Sequence, residues 1–455
     1  MVMAITDSAF LLGESREHPT HVALLQLFRP PPDSGPEYVS EFYRDLLTRT
    51  EVSGTMRRRP VRRAATLGQW SWVRDEDVEL EYHVRLSALP RPGRVRELLE
   101  LVSRLHGSLL DRHRPLWEMN VIEGLADGRF AVYTKVHHAL MDGVTAVRRV
   151  TEGLSTERDG ESLPPWAPSA RARADGGAKG DVIDQAWGRV KGVTRMATEV
   201  AGTPAALTKA LVDAYRDGAA TLPFEAPKTM FNVPIGGARR FAAQSWPLDR
   251  IRAVGAKADA TINDVAVAMC AGALRRYLID QDALPDRSLV AMLPVSLRAA
   301  DTAGSSEGNA VGAILCDLAT DQPDPSVRLA RIRASTRHAK AMLSGLNPTE
   351  IVALASVLVA GLAVAPVPGL RGMVPPPFNL IISNVPGSRE KLYWNGAELV
   401  ESYPLSIPAE GQAVNMTLTS YAGQLSFGIT GCRRTVPHLQ RLLDHLDAEL
   451  DALEA

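Results

Sequence analysis

At 455 residues the chain is too long for one ordinary core, and two domains of similar build are expected. Its 45% hydrophobic and 23% charged residues are the proportions of a folded globular protein and exclude a disordered one. With 51 Lys and Arg against 52 Asp and Glu, the formal charge of -1 gives no global field for nucleic acid or another polyanion, so an anionic ligand needs a local basic cluster.

The opening residues Met1 to Asp7 lack a basic start followed by an apolar stretch, so no secretory signal is expected. Cys270, Cys316 and Cys432 are distant, odd in number and form no C-x-x-C pair. They predict neither a disulfide framework nor a zinc site, and they fit a reducing, intracellular setting. Phe130 to His138 alternates like a strand, and the residues after Gly143 read as a helix. Residues 156–180, rich in Pro, Gly, Ser and Arg, read as an exposed linker. From Asp181, the spacing of Ile183, Ala186, Trp187, Val190, Val193, Ala197 and Val200 predicts a helix; Thr203-Pro204 starts a second one through Tyr215. These two helices bridge the domains or, alternatively, lie on a membrane surface.

In the second half, Asn263 to Ile279 predicts a helix, and Ser288 to Pro294 and Asn379 to Ser383 predict strands. Ile351 to Leu370 carries no charge over twenty residues, long enough for a membrane span. Pro366 and Pro368 would break its last turns, so it reads as a buried helix followed by a Pro-rich loop, with a lipid-dipping surface as the alternative. Strands interleave with helices in both halves, which defines an α/β fold. The expected units are 1–155, a linker with bridging helices over 156–240, and 241–455.

The chemistry concentrates at His137-His138-Ala139-Leu140-Met141-Asp142-Gly143. Strand parity puts Phe130, Val132, Thr134, Val136 and His138 on one face and Ala131, Tyr133, Lys135 and His137 on the other. The two histidines therefore do not share a ligand, which argues against a metal. His138 falls on the more apolar face at the strand's end, where desolvation keeps an imidazole neutral and able to accept a proton. On spacing alone, a satisfied histidine and an Asp142-Gly143 cap or turn are the commoner explanations.

The segment matches the HHxxxDG motif of the bacterial wax ester synthase/diacylglycerol acyltransferase family, in the chloramphenicol acetyltransferase-like superfamily. Peptide-synthesis condensation domains share that motif, so further matches decide the branch. Asp7-Ser8-Ala9-Phe10-Leu11 with His21-Val22 resembles the family's opening, and Pro115-Leu116-Trp117-Glu118 its PLW motif. Phe231 to Gly236 with Arg239-Arg240 resembles a central block, and Thr261 to Val265 the ND motif. Ser383-Asn384-Val385-Pro386-Gly387 resembles the late SNVPG motif, and Asn415 to Gly423 the final strand pair.

The resemblance implies two chloramphenicol acetyltransferase-like domains, each a mixed sheet with helices, and an active-site tunnel between them. It implies direct transfer of a long acyl group from acyl-CoA to diacylglycerol or, alternatively, a fatty alcohol, with His138 as general base and no cofactor or metal. No G-x-S-x-G elbow is present, which argues against a serine nucleophile. His137 tunes the site or is structural. Asp142 pairs with an arginine, for which Arg298 is the candidate, and Gly143 allows a tight turn or close approach of the acyl chain. Ser383 and Asn384 are candidate oxyanion donors, and Asn263 and Asp264 candidate shapers of the acceptor pocket, with a strand-end turn and helix capping as the plainer roles. Arg239 and Arg240, or Arg171 and Arg173, are available to coenzyme A phosphates. The implied setting is cytoplasmic, peripheral at the inner membrane surface or lipid droplets. A condensation-like enzyme and a non-catalytic lipid-surface binding protein are the competing expectations.

Overall fold

The computed structural model describes residues 3, 5–62, 68–168, 221, 223–296, 311–346, 350, 351, 354 and 375–455. The first part of the chain supplies β1 (His21–Arg29), β2 (Arg58–Arg62), β3 (Trp70–Arg74), β4 (Val84–Ala88), β5 (Trp117–Glu123) and β6 (Phe130–His137). The later part supplies β7 (Arg239–Pro247), β8 (Val290–Ser296), β9 (Val311–Asp317), β10 (Leu380–Val385), β11 (Tyr393–Trp394), β12 (Ala397–Leu405), β13 (Val414–Tyr421) and β14 (Gln424–Cys432). Helices α1 (Ile5–Gly13), α2 (Tyr38–Thr48), α3 (Leu80–His83), α4 (Val95–Gly107) and α5 (Gly143–Thr151) intersperse the first set.

Two six-stranded mixed sheets result, ordered β11-β12-β1-β6-β5-β4 and β7-β14-β13-β10-β8-β9, beside a small β2-β3 hairpin. The α/β class read from the interleaved elements is the observed one. The first sheet is completed from far along the chain: β12 pairs antiparallel with β1, Leu25 opposite Tyr403, so the Tyr393–Leu405 hairpin belongs to the sheet that carries the histidines.

Every residue of β6 is buried, because both faces of its sheet are covered. Phe130, Val132 and Val136 pack with Phe28 and with Phe42 and Leu46 of α2. Ala131 and Tyr133 pack on the opposite side with Leu98 and Val102 of α4 and Phe241 of β7. That division is the parity expected from the sequence. Fully burying a side chain such as Phe130 contributes about 1.5–3 kcal/mol, so a one-residue slip of β6 is strongly disfavoured.

The second core surrounds the Ile262–Asp280 helix, whose residues from Asp264 to Leu274 are all buried. A helix apolar on every side must be central. Thr261 caps it and Asp264 closes the capping box. Ile351 and Leu354 are buried in this core, while most of the charge-free Ile351–Leu370 segment lies outside the described residues. Among the described residues no helix is long and apolar enough to cross a membrane. Of the 156–180 stretch expected as an exposed linker, Ser162, Trp166 and Ala167 are instead buried, Trp166 stacking on Trp117, while residues 169–180 and the two bridging helices expected up to Tyr215 lie outside the described residues.

The two sheets contact each other through strands that lie inside them. The β12 strand packs on β13 and β14, α4 on β7, and α5 on β10. A Cβ at Gly428 would collide with the Pro404 carbonyl, so β14 approaches β12 as closely as only glycine permits.

Candidate active site

The histidine segment is held as a strand, a turn and a helix. At the end of β6 the His137 amide donates to the Leu116 carbonyl (3.0 Å) and the His138 amide to the Thr20 carbonyl (2.9 Å). The chain then turns: the Leu140 amide donates back to the His137 carbonyl (2.8 Å), and Ala139, Leu140 and Met141 are buried in the first core. The three residues between His138 and Asp142 are thus the hydrophobic anchor of the turn. Asp142 is the N-cap of α5 and accepts from the Thr145 amide (2.8 Å) and hydroxyl (3.1 Å).

His138 is only partly exposed, and its ring stacks on Phe10 of α1 with centroids 4.1 Å apart and planes 21° apart. Burial pushes its imidazole down to about 4, against the opposing pull of the Asp142 carboxylate and of a hydrogen bond to its own backbone, with His137 adding to the fall. The imidazole is therefore neutral at physiological pH.

His137 is fully buried and points elsewhere. Its Nδ1 accepts from the Ala139 amide (3.0 Å), so Nε2 carries the hydrogen toward the Thr20 hydroxyl (3.1 Å) and Glu14 (3.3 Å). Glu14 is itself buried and receives Arg112 at 2.8 Å. Burial alone would raise the Glu14 carboxyl, but His137 and Arg112 hold it below its usual value. His137 works from behind the loop, with both nitrogens occupied by protein.

Gly143 departs from the tight turn expected of it. Its backbone is not left-handed, and a Cβ there would meet only Val22 Cγ1 at 4.0 Å. The room beside Gly143 is open, so glycine there leaves space without serving the turn.

Of four further expected residues, Ser383 and Asn384 lie on β10 of the second sheet, and Asn263 and Asp264 begin the Ile262–Asp280 helix. Val385, at the end of β10, packs with Val147 and Val150 of α5 and Leu24 of β1, which brings the Ser383–Gly387 segment against the helix that follows the histidine loop. Ser383 is half-buried and Asn384 exposed, with Asn384 Nδ2 3.4 Å from Asn263 Oδ1. Asp264 has other work: Oδ2 accepts from the Thr261 amide and hydroxyl, and Oδ1 from Thr336 (2.7 Å). Capping and packing use up its oxygens.

Of the arginines considered for phosphates, Arg239 is buried and donates to the carbonyls of Gly236 and Glu17. Arg240 is partly exposed, 3.9 Å from Glu100. Arg171, Arg173 and Arg298 lie outside the described residues, so the expected Asp142 partner does too. Leu116 and Trp117 are buried; Trp117 donates to the Met56 carbonyl and stacks on His83 and Trp166, a packing role. Cys270, Cys316 and Cys432 are buried free thiols, and no group of three possible metal ligands occurs among the described residues.

Sequence reasoning missed Phe10, Glu14, Thr20, Arg112 and Thr145. Phe10 stood in a matched opening motif without a role, and Thr145 followed Asp142 at the spacing of a cap. Nothing local joins Glu14 or Arg112 to a histidine over a hundred residues away in one case and 25 in the other.

The histidine loop ends on the first mixed sheet, and the helix that follows it packs on β10 of the second. The sequence matches the wax ester synthase/diacylglycerol acyltransferase catalytic domain over residues 3–266 and the C-terminal domain of the same family over residues 307–454. The chain belongs to that family and is an acyltransferase. It is 51% identical over 454 residues to a putative diacylglycerol O-acyltransferase of Mycobacterium tuberculosis, covering 99% of each. A probable diacylglycerol O-acyltransferase of the same organism is 50% identical over 459 residues, covering 100% of this chain and 98% of the relative. Among solved structures, the wax ester synthase/diacylglycerol acyltransferase from Marinobacter aquaeolei is 41% identical, with a TM-score of 0.77 over 100% of this chain and 99% of that one. The starter condensation domain of rhizomide synthetase shares the fold at 13% identity and a TM-score of 0.56, over 99% and 93%.

Proposed function

We propose that the protein transfers an acyl group from acyl-CoA to diacylglycerol, giving triacylglycerol and free coenzyme A, with His138 as the general base. The observation that carries this reading is the half-buried His138 ring at the end of β6, stacked on Phe10 and pushed by burial into the neutral form that can take a proton. An alcohol is a poor nucleophile at neutral pH; a base that removes its proton during attack on the thioester contributes roughly 10² to 10⁴ in rate. The protonated ring then returns the proton to the departing thiolate, so the base is regenerated within one turnover.

The other residues fall into supporting roles. Asp142 caps α5 and fixes the loop, and His137 anchors it from behind through Glu14 and Thr20. Gly143 leaves room for the acyl chain. Ser383 and Asn384 stand as donors toward the oxyanion, and Asn263 bounds the acceptor side through its contact with Asn384. Residues 1–155, completed by the Tyr393–Leu405 hairpin, and the remainder of 241–455 act as the two acyltransferase-like units, with 156–240 between them. No metal or resident cofactor takes part.

A fatty alcohol is the second acceptor, since the same base would serve it. Both acceptors are held in lipid. The exposed Leu12 on α1 and Val144 on α5 put apolar side chains on elements that flank His138, which supports peripheral contact with a membrane or lipid droplet on the cytoplasmic side. The test is to offer one acyl-CoA to diacylglycerol and a fatty alcohol in competition and separate the lipid products. Triacylglycerol in excess supports the reading, wax ester in excess favours the second acceptor, and full activity in His138→Ala removes the proposed base.

A further inference from the structure

The base is held by more than its own loop. A histidine just beyond a strand end has two side-chain torsions to fix, and the hydrogen bond to its own backbone restrains them from the edge of the ring. It supports neither face. Phe10 supplies the second constraint, lying face-on at 4.1 Å and 21°. We infer that Phe10 is a positioning residue for acyl transfer: its ring, carried on α1, sets the plane of the His138 imidazole and keeps water from one of its faces. This rests on the reading of His138 as the base.

The support of Phe10 argues the same way. The Thr20 hydroxyl donates to the Phe10 carbonyl (3.2 Å), and Arg112 donates to the Leu11 carbonyl (2.9 Å) and pairs with Glu14 (2.8 Å). Thr20 and Glu14 are also the partners of His137. One set of contacts therefore seats α1 on the histidine loop and links the supports of the two rings. Phe10 packs against the margin of the first core and stays partly exposed, unlike the buried Leu11 beside it, so its ring spans core and histidine. The charged and titratable groups around His138 among the described residues are Asp142 at the start of α5, His137 on β6, Glu14 just past the end of α1, and the buried Asp7 of α1 one turn before Phe10.

The test compares purified wild type, Phe10→Ala, Phe10→Leu, Phe10→Trp and His138→Ala by thiol release from acyl-CoA between pH 5 and 8, with a thermal melt of each. Removing the stacked ring admits water and returns the imidazole toward its ordinary value near 6.5. At pH 5.5 roughly a tenth of such a ring is neutral, so Phe10→Ala should lose about tenfold in kcat between pH 7.5 and 5.5 while wild type stays flat. Phe10→Leu, which keeps apolar volume without a ring face, should fall by less, KM should change little, and Phe10→Trp should restore both rate and profile. Folded Phe10→Ala or Phe10→Leu with wild-type kcat and a flat profile, beside an inactive His138→Ala, overturns the inference. An active His138→Ala overturns the base assignment itself.

Discussion

Asp142 and Thr145 form a closed cap at the start of α5, with the carboxylate taking both the amide and the hydroxyl of the threonine. The motif's aspartate is thus engaged within its own helix. Replacing it with alanine removes the cap at a cost of about 1 kcal/mol. Asp142→Asn keeps an acceptor oxygen and should keep most of that stability. Urea unfolding of the pair measures the difference; a loss as large in Asn as in Ala would mean that charge, not capping, holds the loop.

The Glu14–Arg112 pair gives a second expectation. Glu14 is buried and Arg112 partly exposed, so Arg112→Ala strands a carboxylate beside His137. The expected destabilisation is about 2–3 kcal/mol, below a fully buried pair because Arg112 retains water. Glu14→Gln should cost less, since an amide can still accept from the Thr20 amide. Chemical denaturation midpoints of the two variants check the order.

Gly143→Ala should separate stability from activity. The position begins a helix, its backbone suits any residue, and a Cβ meets nothing closer than 4.0 Å. The melting temperature should hold or rise, by up to about 1 kcal/mol of added stability. Turnover should fall, more for long acyl-CoA than for short, if the open space receives the chain. Equal activity across chain lengths would remove the acyl chain from this spot.

Acid should unfold the protein through its histidines. Burial holds His138 at about 4 and His106 at about 3, and pushes His21 well below its usual value. These rings stay neutral when folded but take a proton near 6.5 when unfolded. Below that pH the unfolded state binds more protons, so stability present above about 6.5 is lost as pH falls toward 4. Melting temperature against pH should be level above 7 and decline below 6.5, less steeply in His138→Ala.

The elements near the chemistry were legible because each obeys a local rule. Alternation placed β6 and separated His137 from His138, and Asp142 caps its helix as its residue type suggested, whereas the cap of the Ile262–Asp280 helix is Thr261. The family motifs supplied the second sheet's approach, through Val385. What the sequence concealed is long-range: Glu14 with His137, Phe10 with His138, and β12 beside β1. None of these pairs leaves a periodic trace, because strand order and helix docking depend on tertiary packing. Asp264 shows the converse, a residue in a functional motif whose oxygens are consumed by a cap.

The insertion of β12 between β1 and β11 also sets a schedule for synthesis. Until residue 397 leaves the ribosome, β1 has one bare edge, its amides and carbonyls open to any other strand. At 5–20 residues per second that interval lasts roughly 20–70 s after β1 itself emerges. The half of the chain that carries the histidines is therefore born unfinished. Release of a fragment ending before Ala397 should yield aggregates, whatever the integrity of its motif.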